Sequence, residues 1–325
     1  MSVLNILFVG SDEVARSIAK KSDSRDVDNY VYKDLKEDGT FSTISILRPN
    51  NYPEKPKPFF ASLTVSDFGI IEIGKVDGVF GEAIVSMACA GIEKGFVIIN
   101  PAEGEWVDEM QVKTLLEQAG LVNWEFIDND GVVIREKLIA ILNQINPNKD
   151  EGFVIAVDQA FTVKGVGLVA VGHVQSGKVN KHDEVLFAGS EGNAIARSLQ
   201  VMDLDVDVAN IGDRVGLALR TAGAFREDLL GKGSILADSK ERFEIQSKSN
   251  FQLDKAAFQM NDLGAGDIVH FCSDLQFTVG RIIEINENIS IKWDFPIVLN
   301  KGSKRNPLII QLEANPRIMG FARFQ

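Results

Sequence analysis

The chain has 325 residues, 45% of them hydrophobic and 25% charged, and a net charge of −12. That length exceeds what one hydrophobic core organises and implies two or three domains. The acidic balance excludes wholesale polyanion binding, so a nucleic acid would have to meet a local basic patch, and no apolar run reaches the roughly 18–20 residues that span a bilayer.

Through about residue 145 apolar strands alternate with amphipathic helices, the pattern of an α/β unit built on a mostly parallel sheet. Strands are expected at 4–9, 41–47, 68–73, 95–100 and 122–127, and helices at 12–21, 79–91, 107–119 and 132–145. The last helix carries Val132, Val133, Leu138, Ile139, Ile141 and Leu142 along one side. The start, Met1-Ser2-Val3, has neither a basic segment nor an apolar stretch with a cleavage site, and reads as unprocessed and cytoplasmic.

The first strand runs into Gly10 within FVGSDEVARSIAKK, where a phosphate-binding loop of pattern G-x-x-x-x-G-K-S/T would need a second glycine, a lysine and a hydroxyl. Ala15, Arg16 and Ser17 hold those places, so only the hydroxyl is kept. A methyl at Ala15 crowds the close backbone approach, and the planar fork of Arg16 has a different reach from the compact ammonium of lysine. Asp12 and Glu13 add negative charge at the helix start, where they would cap free N–H groups and repel a triphosphate.

The turn-forming stretch NPNKDEG at 146–152 is the boundary of the first unit. After it the helical period disappears. FVIAVDQAFTVKGVGLVAVGHVQSGKV alternates, is rich in Val and Gly, and breaks at Ser176-Gly177, as in a barrel or sandwich. One further polar break, ADSKER at 237–242, divides the remainder, giving domains at 1–147, 152–240 and 243–325. Neither a short repeat nor a low-complexity segment is present.

Cys89 and Cys272 lie in separate apolar segments and are expected to pack as small hydrophobes in a reducing compartment. The three histidines, His173, His182 and His270, have no spacing that makes a metal site, so no metal is expected. Lys301, Lys304, Arg305 and Arg317 form a candidate basic patch, with a solvated charged face as the plainer reading.

Residues 152–238 resemble domain 2 of the elongation factor Tu family of translational GTPases, and most of all the selenocysteine-specific elongation factors. The V-K-G-V-G-x-V turn, the G-x-V-x-x-G hairpin, the GDRVGLALR strand and the L-x-x-G-x-I-L ending carry the likeness. DIVHFCSDLQFTVGRI and LEANPRIMGFARF resemble the third, β-barrel domain of the same factors. The fold implied is a reduced GTPase-like α/β domain followed by two β-barrels. The additional C-terminal domain with which selenocysteine-specific factors engage their RNA element is expected to be absent.

By the same resemblance, DFGIIEIGKVDGVFGEAIVSMACAGIEKGFVIIN leads to the guanine-specificity motif N-K-x-D, whose place is taken by Asn100-Pro101-Ala102-Glu103. ISILRPNN takes the place of the strand and D-x-P-G motif, so Leu47 stands where a magnesium-organising acid belongs and Asn50 where the glycine does. Too few residues separate Ser17 from Ile44 for a full first switch, and NWEFID follows where a Ser-Ala-Lys motif would. Gly10, Ala15, Arg16, Ser17, Asn100 and Glu103 are therefore expected to form a vestigial nucleotide site, with no cofactor bound. The resemblance implies partners among tRNA, the ribosome and other translation factors, with neither DNA nor membrane.

Within domain 2, Lys164 in the TVKGVG turn, His173 on the following strand and Arg220 at the end of ALRTAG are the candidate RNA contacts. Each has a plainer role: Lys164 an exposed turn lysine, His173 a packed histidine, Arg220 the partner of Glu227 or Asp228. Two alternatives stand beside this reading. One is a divergent, active GTPase using GTP with Mg²⁺, Arg16 doing the lysine's work and Glu103 reading guanine; the other is a protein-interaction scaffold.

Overall fold

The structure is a computed structural model, describing residues 2–36, 39, 41–144 and 152–324. The boundary expected at 146–152 falls, apart from Gly152, outside the described residues. Among those described, no helix is long and apolar enough to cross a membrane.

The chain opens on β1 (Ser2–Val9), whose near-continuous apolar run is buried on both faces, as a central parallel strand requires. It is followed by α1 (Asp12–Ile18), β2 (Lys20–Ser24), β3 (Val27–Leu35), β4 (Phe41–Pro49), α2 (Pro56–Leu63), β5 (Phe68–Ile73), α3 (Gly78–Ala90), β6 (Lys94–Ile99), α4 (Glu109–Ala119), β7 (Asn123–Phe126) and α5 (Gly131–Gln144). The seven strands form one sheet in the order β2-β3-β4-β1-β5-β6-β7. β4, β1, β5, β6 and β7 run parallel, with β2 and β3 as an antiparallel margin. Ile134 and Leu138 of α5 cover one face together with Val14 and Ile18 of α1, whereas α2, α3 and α4 cover the other.

The expected helix at 12–21 is corrected: it ends at Ile18, and residues from Lys20 onward leave it for β2. β2 is short and charged, with exposed and half-buried residues alternating, as suits a sheet edge that must not recruit another chain. Two elements carried too little sequence signal to be expected. The alternating apolar set of β3 is diluted by Asp28, Asn29, Lys33 and Asp34, and α2 holds prolines at both Pro56 and Pro58.

The second unit comprises β8 (Phe153–Val163), β9 (Gly167–Asn180), β10 (Glu184–Phe187), β11 (Asn193–Val201), β12 (Leu204–Val206), β13 (Val208–Asn210), β14 (Arg214–Ala222) and β15 (Ile235–Ala237). Its strand path β10-β15-β8-β9-β14-β11-β12 returns on itself because β10 also pairs with β11. The third unit is a closed barrel of β16 (Phe243–Lys255), β17 (Ile268–Ser273), β18 (Gln276–Ile285), β19 (Ile289–Asn300), β20 (Leu308–Ile310) and β21 (Ile318–Phe324), in the order β16-β19-β18-β17-β20-β21.

The units share cores. Phe59, Phe60, Ile84 and Met87 of the α/β unit join Cys272, Leu308, Ile310 and Ile318 of the closed barrel in one apolar cluster. A second cluster joins all three units: Leu47, Ala61 and Val65 meet Val154, Ala156 and Ile235, with Leu275 and Val298 completing it. Both cysteines are free and buried, as expected, and burial raises the Cys89 thiol to about 12.

Polar ties reinforce the seam. Glu82 on α3 is 4% exposed. It accepts from the Arg317 backbone N–H at 2.8 Å, pairs with the guanidinium at 3.0 Å, and takes the Tyr52 hydroxyl at 2.9 Å. Arg317 also donates to the Pro53 carbonyl, while Arg305 bonds the Gly91 carbonyl and faces Asp67 at 3.6 Å. The candidate patch of Lys301, Lys304, Arg305 and Arg317 is thus no single surface, because its two arginines hold the barrel to the α/β unit. Arg317→Ala leaves Glu82 buried without its cation and is expected to cost about 3 kcal/mol in denaturant unfolding. A loss below about 0.5 kcal/mol, the level of a surface pair, would contradict this reading of the seam.

Candidate functional site

Around Gly10 the backbone passes from β1 directly into α1. Ser11 caps α1, accepting from the Val14 N–H at 3.2 Å through its side chain, and its carbonyl takes the Ala15 N–H at 3.3 Å. The helix therefore begins at Asp12, and the residues that would arch around a phosphate are its first turn. Ala15 is wholly buried under α5, and its φ is not in the left-handed region. The capping expected of Asp12 and Glu13 is corrected: Ser11 does it. The Ser17 hydroxyl donates to the Val14 carbonyl at 2.7 Å, and Arg135 of α5 donates to the carbonyls of Ser17 and Ile18 at 2.8 and 2.7 Å. α5 approaches so closely that a Cβ on Gly131 would lie 2.4 Å from the Ser17 carbonyl oxygen, which is why that helix starts on glycine.

A carboxylate of the chain itself occupies the mouth of this turn. Glu72, at the end of β5, accepts the Ser11 N–H at 2.6 Å through Oε2 and the Asn100 side-chain N–H at 2.7 Å through Oε1. A Cβ on Gly10 would sit 2.6 Å from that same Oε2 and 2.9 Å from the Phe8 ring, so the glycine is required by close packing. The Gly10 carbonyl takes the Arg48 Nε–H at 2.8 Å. The structure thus brings Gly10, Ser11 and Asn100 together through Glu72, a residue the sequence reading missed, since a lone strand-end glutamate carries no motif. Exposed Glu103 lies outside this network, and no interaction of its side chain with the described residues is present.

Beside it lies a second polar cluster on β3. Asp28 is 2% exposed and is paired with Lys21 at 2.8 Å and Arg48 at 3.3 Å, with hydrogen bonds from Ser24 and Asn50. Burial works against its charge, but these donors prevail and hold its pKa below the usual carboxylate range. The Tyr30 hydroxyl, then Arg16 and Lys21, hold Asp12 lower still. Arg16, the lysine's counterpart, is therefore spent on Asp12 within its own helix.

No family model matches the chain. An uncharacterized protein of Methanocaldococcus jannaschii is 28% identical over 320 residues, which is 98% of this chain and 97% of that protein. Selenocysteine-specific elongation factors of Escherichia coli and M. jannaschii are 31% and 30% identical over 137 and 117 residues, spanning only 22% and 24% of their own lengths. Among solved structures, translation elongation factor SelB from Methanococcus maripaludis in its apo form superposes with a TM-score of 0.78 at 17% identity, covering 100% of this chain and 80% of that one. Its complex with the GTP analogue GppNHp gives 0.77 over 79% of its chain, and a bacterial selenocysteine-specific factor gives 0.76 at 19% identity over 58% of its chain. The chain has the fold of a selenocysteine-specific elongation factor.

Within that elongation-factor fold, the three candidate RNA contacts separate. Lys164 is exposed in the β8–β9 turn, and Arg220 is exposed on β14. Arg220 is not tied to the acids expected to hold it: Glu227 takes the Thr221 hydroxyl and Asp228 pairs with Arg226. His173 is corrected. It is 4% exposed on β9, opposite Ala156 and Arg214, and cannot meet a macromolecule.

Burial, then the nearby Arg214, lowers the pKa of His173 to about 4, against a smaller pull from Asp158. Lys232 opposes protonation too. Because the folded pKa lies below the unfolded value, the stability linked to this group is complete above pH ~6.5 and is lost as pH falls toward 4. The loss is about 3 kcal/mol at its limit. His173→Gln is expected to flatten that part of a stability–pH profile taken by chemical unfolding between pH 7 and 4; an unchanged slope would refute a buried neutral imidazole.

Proposed function

We propose that this protein is a translation-factor-like RNA-binding protein that works without a guanine nucleotide, engaging tRNA, the ribosome or another translation factor through its β domains. The observation that carries this reading is the turn after β1. Its Ser11 N–H is on the Glu72 carboxylate, its Val14 N–H on the Ser11 side chain and its Ala15 N–H in the helix ladder, and an anion arriving there would meet Glu72 and Asp12. Leu47 and Pro101 offer neither metal ligand nor ring-stacking stem at the other two sites of the nucleotide. Lys164 and Arg220, exposed on the unit whose sequence most resembles domain 2 of the elongation factors, are the leading RNA contacts.

Thermal unfolding with millimolar GTP and magnesium is expected to leave the midpoint unmoved, since a ligand at 100 times its Kd would stabilise by about 2.7 kcal/mol. A rise of several degrees would establish the divergent GTPase instead. For the RNA arm, binding of bulk tRNA is expected to weaken steeply with salt, and Lys164→Ala combined with Arg220→Ala to lower affinity roughly tenfold. Failure of the unaltered protein to retain any RNA at low salt would leave the scaffold reading.

A further inference from the structure

We infer that the protein carries a second RNA phosphate-backbone site, on its α/β unit, in a cleft where the β2–β3 margin meets α1 and α5. The inference rests on the reading of the protein as RNA-binding and locates a surface which that reading does not assign. The cleft has a volume of about 440 Å³ and is lined by five cations, Arg16, Lys20, Lys21, Lys33 and Arg135. In a chain of net charge −12 this concentration is local.

Three of the five are not neutralised. Lys21 and Arg16 are held by Asp12, and Lys21 also by Asp28. Arg135 bonds only backbone carbonyls and lies over the Tyr32 ring, 4.5 Å from its centroid. Lys33 bonds the Met202 carbonyl at 3.2 Å, a neutral acceptor that leaves its charge outstanding. Lys20 is exposed, and no hydrogen bond or ion pair of its side chain with the described residues is present. Ion pairing inside the fold therefore does not explain why these groups converge.

Topology keeps the cleft open. β2 begins at Lys20 opposite Val31, whereas β3 continues to Leu35. From Tyr32 to Leu35, β3 is paired with β4 on one side only. The absent edge is what exposes the floor between Ile18-Ala19 and Tyr32-Lys33. The Tyr32 ring with the Arg135 guanidinium stacked on it gives the cleft an aromatic element beside its cations, the pairing that suits a nucleotide's phosphate and ring together. The ligand class is thus a ribonucleotide chain held mainly by its phosphodiesters, which accounts for a site of high charge and no deep base pocket.

The test is anisotropy of a labelled tRNA across a sodium chloride series with the full chain, Lys20→Ala/Lys33→Ala, and Lys164→Ala/Arg220→Ala. Both lysines are exposed, and an unchanged melting profile confirms that the first variant is folded. Its affinity is expected to drop roughly tenfold and its salt slope by about 2, one for each phosphate contact removed. Equal affinity and slope for that variant and the unaltered chain, with the Lys164/Arg220 variant weakened, would overturn the cleft site while leaving the function reading intact. Absence of tRNA binding by the unaltered chain would overturn both. Inorganic phosphate, an acidic peptide and phosphatidylserine vesicles are run in parallel. Lysine-dependent binding to any of these without tRNA binding would assign the cleft to that ligand and overturn the RNA assignment.

Discussion

The seam in which all three units meet is the constraint on which the architecture depends. Leu47 lies in it, packed with Val154, Ile235 and Leu275, and by the resemblance read in the sequence it stands where the translational GTPases place an acid that organises magnesium. The two roles exclude each other. A carboxylate among these apolar side chains would be buried without a partner, at a cost of several kcal/mol, whereas the leucine joins three domains. On that alignment, the leucine would give up a metal ligand and supply an interdomain core in one substitution. α2, which follows within a few residues, is fixed by the same contacts: Ala61 is in the seam, and Phe59 and Phe60 are in the core shared with the barrel. In nucleotide switches such segments are ordered by the terminal phosphate and released on hydrolysis. Here side-chain packing supplies that order.

The polar groups around Gly10 follow the same logic. An anion site needs amides whose hydrogen-bonding capacity is unspent. In this chain the Ser11 N–H faces Glu72, the Ala15 N–H is in the helix ladder, and the Gly10 carbonyl is held by Arg48. Arg48 also reaches Asp28 and Asn50, so the first turn, the end of β4 and the β3 margin form one satisfied network. A half-buried network of this kind holds best when each member has its partner. Admitting a triphosphate would strand Glu72 and place several negative charges beside Asp12 and Asp28.

Much of this was legible in the sequence. Strands with continuous apolar runs and helices with strong punctuation fell within about two residues of expectation, as with β5 at 68–73 and α3 at 78–90. The departure from the phosphate-loop pattern was also legible, because Ala15 and Arg16 stand where that motif has a glycine and a lysine. Its replacement was not. Whether residues 11–15 arch or coil depends on Ser11 as a cap and on Glu72, 61 positions away, and no local pattern encodes that pairing. The antiparallel margin was missed because β2 is charged and β3 carries four polar residues among nine, so neither displays the alternation that marks a half-buried strand. His173 shows the opposite limit: an ionisable residue looks like surface in sequence, and only its register opposite Ala156 places it inside.

The acidic net charge and the basic cleft are compatible because electrostatic attraction to a polyanion is decided at short range. At physiological ionic strength the screening length is about 8 Å, so acids on the far faces of the barrels contribute little at Lys20. Asp12 and Asp28, the acids that pair with cations of the cleft, are engaged by Lys21, Arg16, Arg48 and Tyr30. What an approaching phosphate meets is therefore set by Lys20, Lys33 and Arg135, not by the total of −12. The distant negative charge still acts on the encounter at low salt, where screening is weak, and opposes non-specific adsorption along the rest of the surface. On the proposed reading, a nucleic acid would be held where cations are left without carboxylates, as at this cleft.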